Sequence, residues 1–130
     1  MHCCITLRNY QEMNPRFFIK EEFTCDGKNC FDKINKKSLE RLDLAREFAD
    51  VPFTITSSWR SKAHNMEVGG KPNSAHLRGT AFDISCMSSY QRMQIVRGLL
   101  EAGFTRIGIA KSFIHADDDA ESPQQVMWLY

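Results

Sequence analysis

The chain has 130 residues, of which 42% are hydrophobic and 25% are charged. This composition is typical of one globular domain and the length is too short for two, so we expect a single domain over residues 1–130. A formal net charge of +1 provides no broad cationic surface for a phosphate backbone, which argues against nucleic acid as a partner.

The sequence also lacks membrane and export signals. No apolar run approaches the roughly 18 residues that a membrane-spanning helix needs. Residues 1–10 lack the continuous hydrophobic stretch of a secretory signal. We therefore expect a protein that is cytoplasmic as synthesised, without membrane insertion, and nothing in the sequence demands more than a monomer.

The sequence contains five cysteines, an odd number, and no two of them form a Cys-x2-Cys pair of the kind that zinc ribbons use. Reduced thiols are the favoured interpretation. Cys25 and Cys30 flank the turn-like segment Asp-Gly-Lys-Asn, so a local disulfide between them stays open as an alternative under oxidising conditions.

Residues 1–34 are predicted to form an irregular arm that packs on the body. Four aromatic side chains could anchor it, namely Phe17, Phe18, Phe23 and Phe31. Residues 35–50 predict a helix, because four apolar side chains recur at helical spacing while Glu40, Arg41 and Glu47 lie largely outside that stripe. The stripe consists of Leu39, Leu42, Ala45 and Ala49.

The middle of the chain predicts two strands around a short helix. Residues 51–57 alternate around β-branched side chains and predict a strand. A short helix follows at 61–68, and the Gly-Gly-Lys-Pro-Asn run at 69–73 ends it. Residues 80–85 predict a second strand that carries Asp83 among apolar residues.

Residues 88–91 resemble a capping box that opens a helix through Ala102, with Gly103 at its end. Its predicted buried stripe consists of Met93, Val96, Leu99 and Leu100. Further strands are expected at 106–110, 113–117 and 126–130. The whole pattern indicates an α+β fold, in which an antiparallel sheet flanked by two or three helices carries the functional site.

The densest chemical signal is Ser-Ala-His-Leu-Arg-Gly-Thr-Ala-Phe-Asp at 74–83, joined later by Phe-Ile-His-Ala-Asp at 113–117. Imidazole and carboxylate are good zinc donors, and three protein ligands leave one tetrahedral position open, as hydrolytic zinc sites require. His76, Asp83 and His115 would make such a set. A lone histidine is more often structural, but an unpaired carboxylate in an apolar strand is costly, and a cation beside Asp83 removes that cost.

These residues resemble the signature of the LAS zinc peptidases, which comprise D-Ala-D-Ala carboxypeptidases, D-Ala-D-Ala dipeptidases and L-alanyl-D-glutamate endopeptidases. Their motif is similar to S-x-H-x-x-G-x-A-x-D followed downstream by a histidine. The matching residues are Ser74, His76, Gly79, Ala81, Asp83 and His115. The preceding Ile-Thr-Ser-Ser-Trp-Arg-Ser at 55–61 looks like the small phage and bacterial carboxypeptidase-like branch, and the likeness spans about residues 36–130.

The resemblance implies one catalytic zinc ion on His76, Asp83 and His115, and a fold shared with the signalling domain of hedgehog proteins. It implies hydrolysis of peptidoglycan stem peptides by zinc-activated water, by an endolysin-like or host enzyme that reaches the cell wall after release. It also implies that Arg60 contacts the substrate carbonyl and stabilises the oxyanion, whereas a surface salt bridge is the alternative for this arginine. Ser74 would either bind substrate or form a turn.

One position departs from the resemblance. Better-known members place a glutamate three residues before the third histidine as general base, and here that residue is Ser112. We predict Asp117 as the base, because strand alternation places it on the face of His115. Orientation of His115 is the alternative role. Asp118 and Asp119 are expected on a solvated surface.

The missing glutamate motivates a second function, a zinc-stabilised module that binds cell-wall peptide or a phage tail protein without cutting it. A metal-free structural protein is a third interpretation. Trp128 either lines a cleft or belongs to the core, as aromatic residues near strand ends often do.

Overall fold

The structure, a computed structural model, describes residues 17–130, and these contain three α-helices and seven strands. The helices are α1 (Lys36–Ala49), α2 (Lys62–Glu67) and α3 (Ser89–Ala102). The strands are β1 (Thr24–Cys25), β2 (Lys28–Asn29), β3 (Ile55–Ser57), β4 (Ala81–Ser85), β5 (Arg106–Ile109), β6 (Phe113–Asp117) and β7 (Val126–Leu129). The predicted α+β class is confirmed. No helix within residues 17–130 has the length and apolar character to span a membrane.

Helix α1 begins where the Asn35 side chain accepts a hydrogen bond from the Ser38 N–H at 3.0 Å. Its predicted apolar stripe is buried. Glu40, which the sequence places outside that stripe, is also buried, since this side chain is only 4% exposed. One turn further along the same flank, Asp43 accepts the backbone N–H of Phe17 at 2.9 Å, so the arm covers this side of the helix.

Helix α3 begins at the predicted cap, where Ser88 accepts from the Gln91 N–H at 3.1 Å, and it ends at Gly103 with a φ of 97°. The predicted stripe is wrong in part, because Met93 and Leu100 are 67% and 52% exposed. The reason is Gly98. A Cβ there would lie 2.4 Å from the carbonyl oxygen of Ala45 on α1, so the two helices lie in close contact at this glycine. The face that carries Gly98, with Ile95 and Leu99, is therefore the buried one.

The main sheet has the strand order β3-β4-β6-β5-β7. The β3–β4, β4–β6 and β5–β6 pairs are antiparallel, whereas β7 pairs with β5 in parallel. β3 begins later than the predicted residue 51, because Pro52 has no backbone N–H to contribute to a ladder. Apolar side chains on one face of the central strands form the core under α1 and α3, namely Phe82, Ile84, Ile107, Ile114 and Ala116. The alternate residues occupy the opposite face.

The arm contains the β1–β2 hairpin and packs on the body through Phe18 and Phe23, which are 4% and 0% exposed. A disulfide joins Cys25 to Cys30, so the favoured reduced state was wrong for this pair and the alternative is correct. The hairpin register pairs Cys25 with Lys28, so the turn brings the two sulfurs together. Cys86 is a buried free thiol. The predictions for residues 1–16 lie outside the described residues.

Candidate metal centre

A single row of residues crosses the sheet and holds most of the site. Asp83 on β4 lies directly opposite His115 on β6, His115 lies opposite Gly108 on β5, and Gly108 lies opposite Trp128 on β7. Side chains of directly paired residues project from the same face of a sheet. The strand register therefore places Asp83 and His115 side by side.

His76 reaches the same point from a 3-10 turn, Ala75–Arg78, which precedes β4. Gly79 ends this turn with a φ of 72°, and a Cβ at this position would lie 2.2 Å from the carbonyl oxygen of Lys33. Only glycine satisfies both conditions. The turn leaves His76 Nε2 at 3.5 Å from Asp83 Oδ1.

His76, Asp83 and His115 together form the one group within residues 17–130 whose nitrogen and oxygen atoms are arranged as metal ligands. One donor atom from each residue lies within 4.8 Å of the others, and all three side chains are buried. His115 Nδ1 is 3.0 Å from Asp83 Oδ1. Two imidazoles and one carboxylate are a donor set that suits zinc.

Each imidazole uses its other nitrogen for a hydrogen bond to the protein. His76 Nδ1 lies 2.6 Å from the carbonyl oxygen of Ser58, which can only accept, so His76 Nε2 keeps its lone pair. His115 Nε2 lies 2.6 Å from Asp117 Oδ2, so Nδ1 is the nitrogen that faces Asp83. Hydrogen bonds of this kind fix the ring orientation of metal-binding histidines.

The electrostatics of the group suit a cation. Burial by itself would raise the pKa of Asp83, but hydrogen bonds from His115 and His76 outweigh it and hold that pKa well below its usual range. Burial would lower the pKa of His115, and its hydrogen bonds with Asp117 and Asp83 raise it. The ionised carboxylate of Asp83 therefore lies against both imidazole rings.

Arg60 lies beside this group. Its Nη2 is 3.5 Å from Asp83 Oδ2, its Nε donates to Ser57 Oγ at 3.2 Å and its Nη1 donates to Asn65 Oδ1 at 3.3 Å. The guanidinium is thus held at three points next to the centre. Ser74 serves the turn, since its Oγ accepts from the His76 N–H at 3.2 Å.

Asp117 is 1% exposed and both its oxygens are engaged. Oδ2 contacts His115 Nε2, while Oδ1 accepts from Arg106 Nε at 2.7 Å and from the Asp119 N–H at 3.1 Å. The carboxylate thus lies against the side of the His115 ring that faces away from Asp83.

The predicted solvated surface at Asp118 and Asp119 was wrong. Asp119 is 2% exposed and accepts from Arg78 Nε and Nη2 at 2.8 and 2.6 Å. Asp118 accepts from Ser38 Oγ at 2.5 Å. The turn that carries His76 projects Arg78 towards this segment, and the pair removes the carboxylate of Asp119 from water.

Sequence reasoning missed three residues of the site, Ser58, Arg106 and Gly108. The contact of Ser58 is made by a backbone carbonyl, which no side-chain pattern reveals. For Trp128 the sequence allowed a position either in a cleft or in the core. It lies at the site, with its ring centroid 5.4 Å from that of His115. The parallel pairing of β7 with β5, which no local signal predicted, brings it there.

Comparison with known proteins agrees with this geometry. No curated protein matches the chain. Residues 13–117, which include part of the arm, α1, the histidine turn and β6, match the sequence model of the Peptidase M15 family. Members of this family are zinc-dependent, and as a peptidase the protein acts on peptide substrates. The chain therefore belongs to the peptidase M15 family and is a metallopeptidase.

Proposed function

We propose that this protein hydrolyses peptide bonds in the stem peptides of bacterial peptidoglycan, with one zinc ion held by His76, Asp83 and His115. The observation that carries the proposal is the buried His-Asp-His group on the sheet face opposite the core. Membership of the peptidase family supports the hydrolytic class of reaction. The resemblance to the LAS enzymes supports the cell-wall substrate.

The residues fit the ion by their chemistry. His76 would offer Nε2 and His115 would offer Nδ1, because Ser58 and Asp117 engage the other ring nitrogens. Asp83 would offer an ionised oxygen, since its lowered pKa keeps the carboxylate charged. Zinc bound in such a set supplies a Lewis acid that polarises a carbonyl and activates water for attack.

Arg60 would bind the carbonyl oxygen of the scissile peptide and stabilise the negative charge that develops on it. Three contacts hold its guanidinium in place before substrate arrives. A donor fixed in advance lowers the barrier because it need not reorganise during the reaction. The contact with Asp83 also keeps this cation within the centre.

Asp117 has two candidate roles, and its contacts favour orientation of His115. Its oxygens are engaged by His115, Arg106 and the backbone of Asp119, in a position that is 1% exposed. A general base must reach the proton that it accepts. As a base, Asp117 would first have to break the contact of Oδ2 with His115, or the contacts of Oδ1 with Arg106 and the Asp119 N–H.

The reaction is tested with purified protein and peptidoglycan. Muropeptides released over time are identified by mass spectrometry, before and after removal of zinc by a chelator and after zinc is restored. We expect new peptide ends that disappear with the metal and return with it, and their identity distinguishes a carboxypeptidase from an endopeptidase. Cleavage that persists in fully metal-free protein would contradict the proposal.

A second candidate function is a zinc-stabilised module that binds cell-wall peptide without cutting it. Ser112 stands where better-known LAS members have a glutamate base, and the nearby carboxylate of Asp117 is engaged by other groups. Sedimentation with insoluble peptidoglycan separates the two functions. Zinc-dependent co-sedimentation with no released peptide would favour the binding module.

A further inference from the structure

β7 contributes an aromatic side chain to the metal centre from outside the part of the chain that matches the family. The match ends at residue 117, whereas Trp128 lies on β7. We propose that Trp128 is a positioning residue, which holds the His115 imidazole so that Nδ1 faces the centre. The inference rests on the proposed role of His115 as a metal ligand.

Trp128 reaches His115 because the strand between them has no side chain at the crossing point. Gly108 on β5 pairs in register with His115 on one side and with Trp128 on the other. A Cβ at position 108 would lie 2.6 Å from Trp128 Nε1 and 2.7 Å from both Trp128 Cε2 and Tyr130 Cε2, closer than real contacts of this kind. The indole and the Tyr130 ring thus share the space that the glycine leaves over β5.

Arg106 connects Trp128 to the other partner of His115. Its guanidinium lies 5.1 Å from the centroid of the Trp128 ring, and its Nε donates to Asp117 Oδ1 at 2.7 Å. Asp117 in turn contacts His115 Nε2 at 2.6 Å. Four side chains, His115, Asp117, Arg106 and Trp128, therefore form a closed loop of contacts.

The two sides of this loop restrict different motions of the imidazole. The hydrogen bond to Asp117 restrains Nε2, but rotation of the ring about its Cβ–Cγ bond would still move Nδ1, which lies farther from that axis, away from Asp83. Trp128 contacts the ring at a centroid distance of 5.4 Å, and His76 contacts it edge-on at 5.2 Å. These ring contacts restrict the rotation. The direction of Nδ1 therefore depends on the ring contacts and on the hydrogen bond to Asp117 together.

The test measures zinc affinity by competition with a chromophoric chelator, and ligand geometry by the visible absorption of the cobalt-substituted protein. Trp128→Ala should weaken zinc binding by about tenfold, the low end of the effect of losing an outer-shell partner, and should change the cobalt spectrum. Trp128→Phe keeps an aromatic ring and should stay close to the native values. Leu129→Ala, on the same strand and 80% exposed, is the matched control and should leave both readouts unchanged.

Gly108→Ala displaces the indole without removing it, and should shift zinc affinity and the cobalt spectrum in the same direction as Trp128→Ala. If circular dichroism shows that Trp128→Ala does not fold, Trp128→Leu and Gly108→Ala decide the matter. Native affinity and a native cobalt spectrum in the folded variants would overturn the positioning role and leave the proposed function standing. A native protein that binds no zinc would instead overturn the metal site itself.

Discussion

At the residue scale, the centre depends on which nitrogen each histidine leaves for a metal. A backbone carbonyl takes Nδ1 of His76 and a carboxylate takes Nε2 of His115, so the two rings present opposite nitrogens to the same point. Neither assignment follows from the spacing of the histidines. It follows from the partners that the fold supplies.

Arg60 gives a prediction at this scale. Arg60→Lys keeps the charge but loses the planar fork that contacts Ser57, Asn65 and Asp83 together. We expect kcat to fall by about 10²–10³-fold, the usual effect of losing one oxyanion donor, while zinc content stays native. Muropeptide turnover and elemental analysis measure the two quantities. Arg97→Lys, a surface pair with Glu101, is the control, and equal turnover in both variants would contradict the role of Arg60.

Asp117 gives a second prediction. Asp117→Ala removes the partner of His115 Nε2 and should weaken zinc binding by about 10–100-fold. Asp117→Asn retains an oxygen that can accept from Nε2, so it should recover most of the zinc affinity and turnover. Native zinc affinity with turnover reduced by about 10²-fold or more in Asp117→Asn would instead identify Asp117 as the general base. Asp118→Ala serves as the neighbouring control.

At the element scale, α3 illustrates how a neighbouring helix determines which face of a helix is buried. The apolar residues of α3 are spread around much of its circumference, so several stripes fit the sequence equally well. The close approach of Gly98 to the backbone of α1 selects the face with Ile95 and Leu99, and turns Leu100 towards solvent.

Two adjacent leucines on α3 allow a test of which face of the helix is buried. Leu99 is 0% exposed and Leu100 is 52% exposed, so the same truncation should have different costs. Leu99→Ala should lower the free energy of unfolding by about 2–5 kcal/mol, whereas Leu100→Ala should change it by less than about 1 kcal/mol. Urea denaturation measures both. Equal losses would mean that α3 packs through a different face.

At the scale of the whole molecule, an ion pair joins segments that are distant in sequence. Arg78 is the last residue of the histidine turn, and Asp119 lies just after β6. The hydrogen bond from Arg78 is the largest cause of the lowered pKa of Asp119. Because the pKa in the folded state is below that in the unfolded state, this carboxylate stabilises the fold above pH about 4, and the stabilisation is lost as pH falls through the folded value.

Asp119→Asn should therefore lower the free energy of unfolding at pH 6 by about 1.5–3 kcal/mol, the worth of hydrogen bonds to a charged group. At pH 3 the native protein loses part of the same stabilisation, so the difference between the two proteins should narrow. Urea denaturation at the two pH values measures it. A difference that stays constant between them would contradict this role, and Glu101→Gln at a surface pair provides the control.

The sequence alone predicted every helix and strand of the main sheet, because hydrophobic period, caps and glycines are local signals. Asn35, Ser88 and Gly103 act at the ends of α1 and α3 as their residue types indicate. The motif at 74–83 identified the candidate ligands and the peptidase family, because the chemistry of a zinc site restricts both residue type and spacing.

The tertiary structure alone decided the surroundings of those ligands. The parallel pairing of β7, the backbone partner of His76 and the burial of Asp119 depend on segments far apart in the chain. Local patterns report the face and period of one element, but strand register and contacts across the sheet arise only when separate elements pack together. For this reason the sequence indicates which residues could bind a metal, and the fold determines how they are aimed.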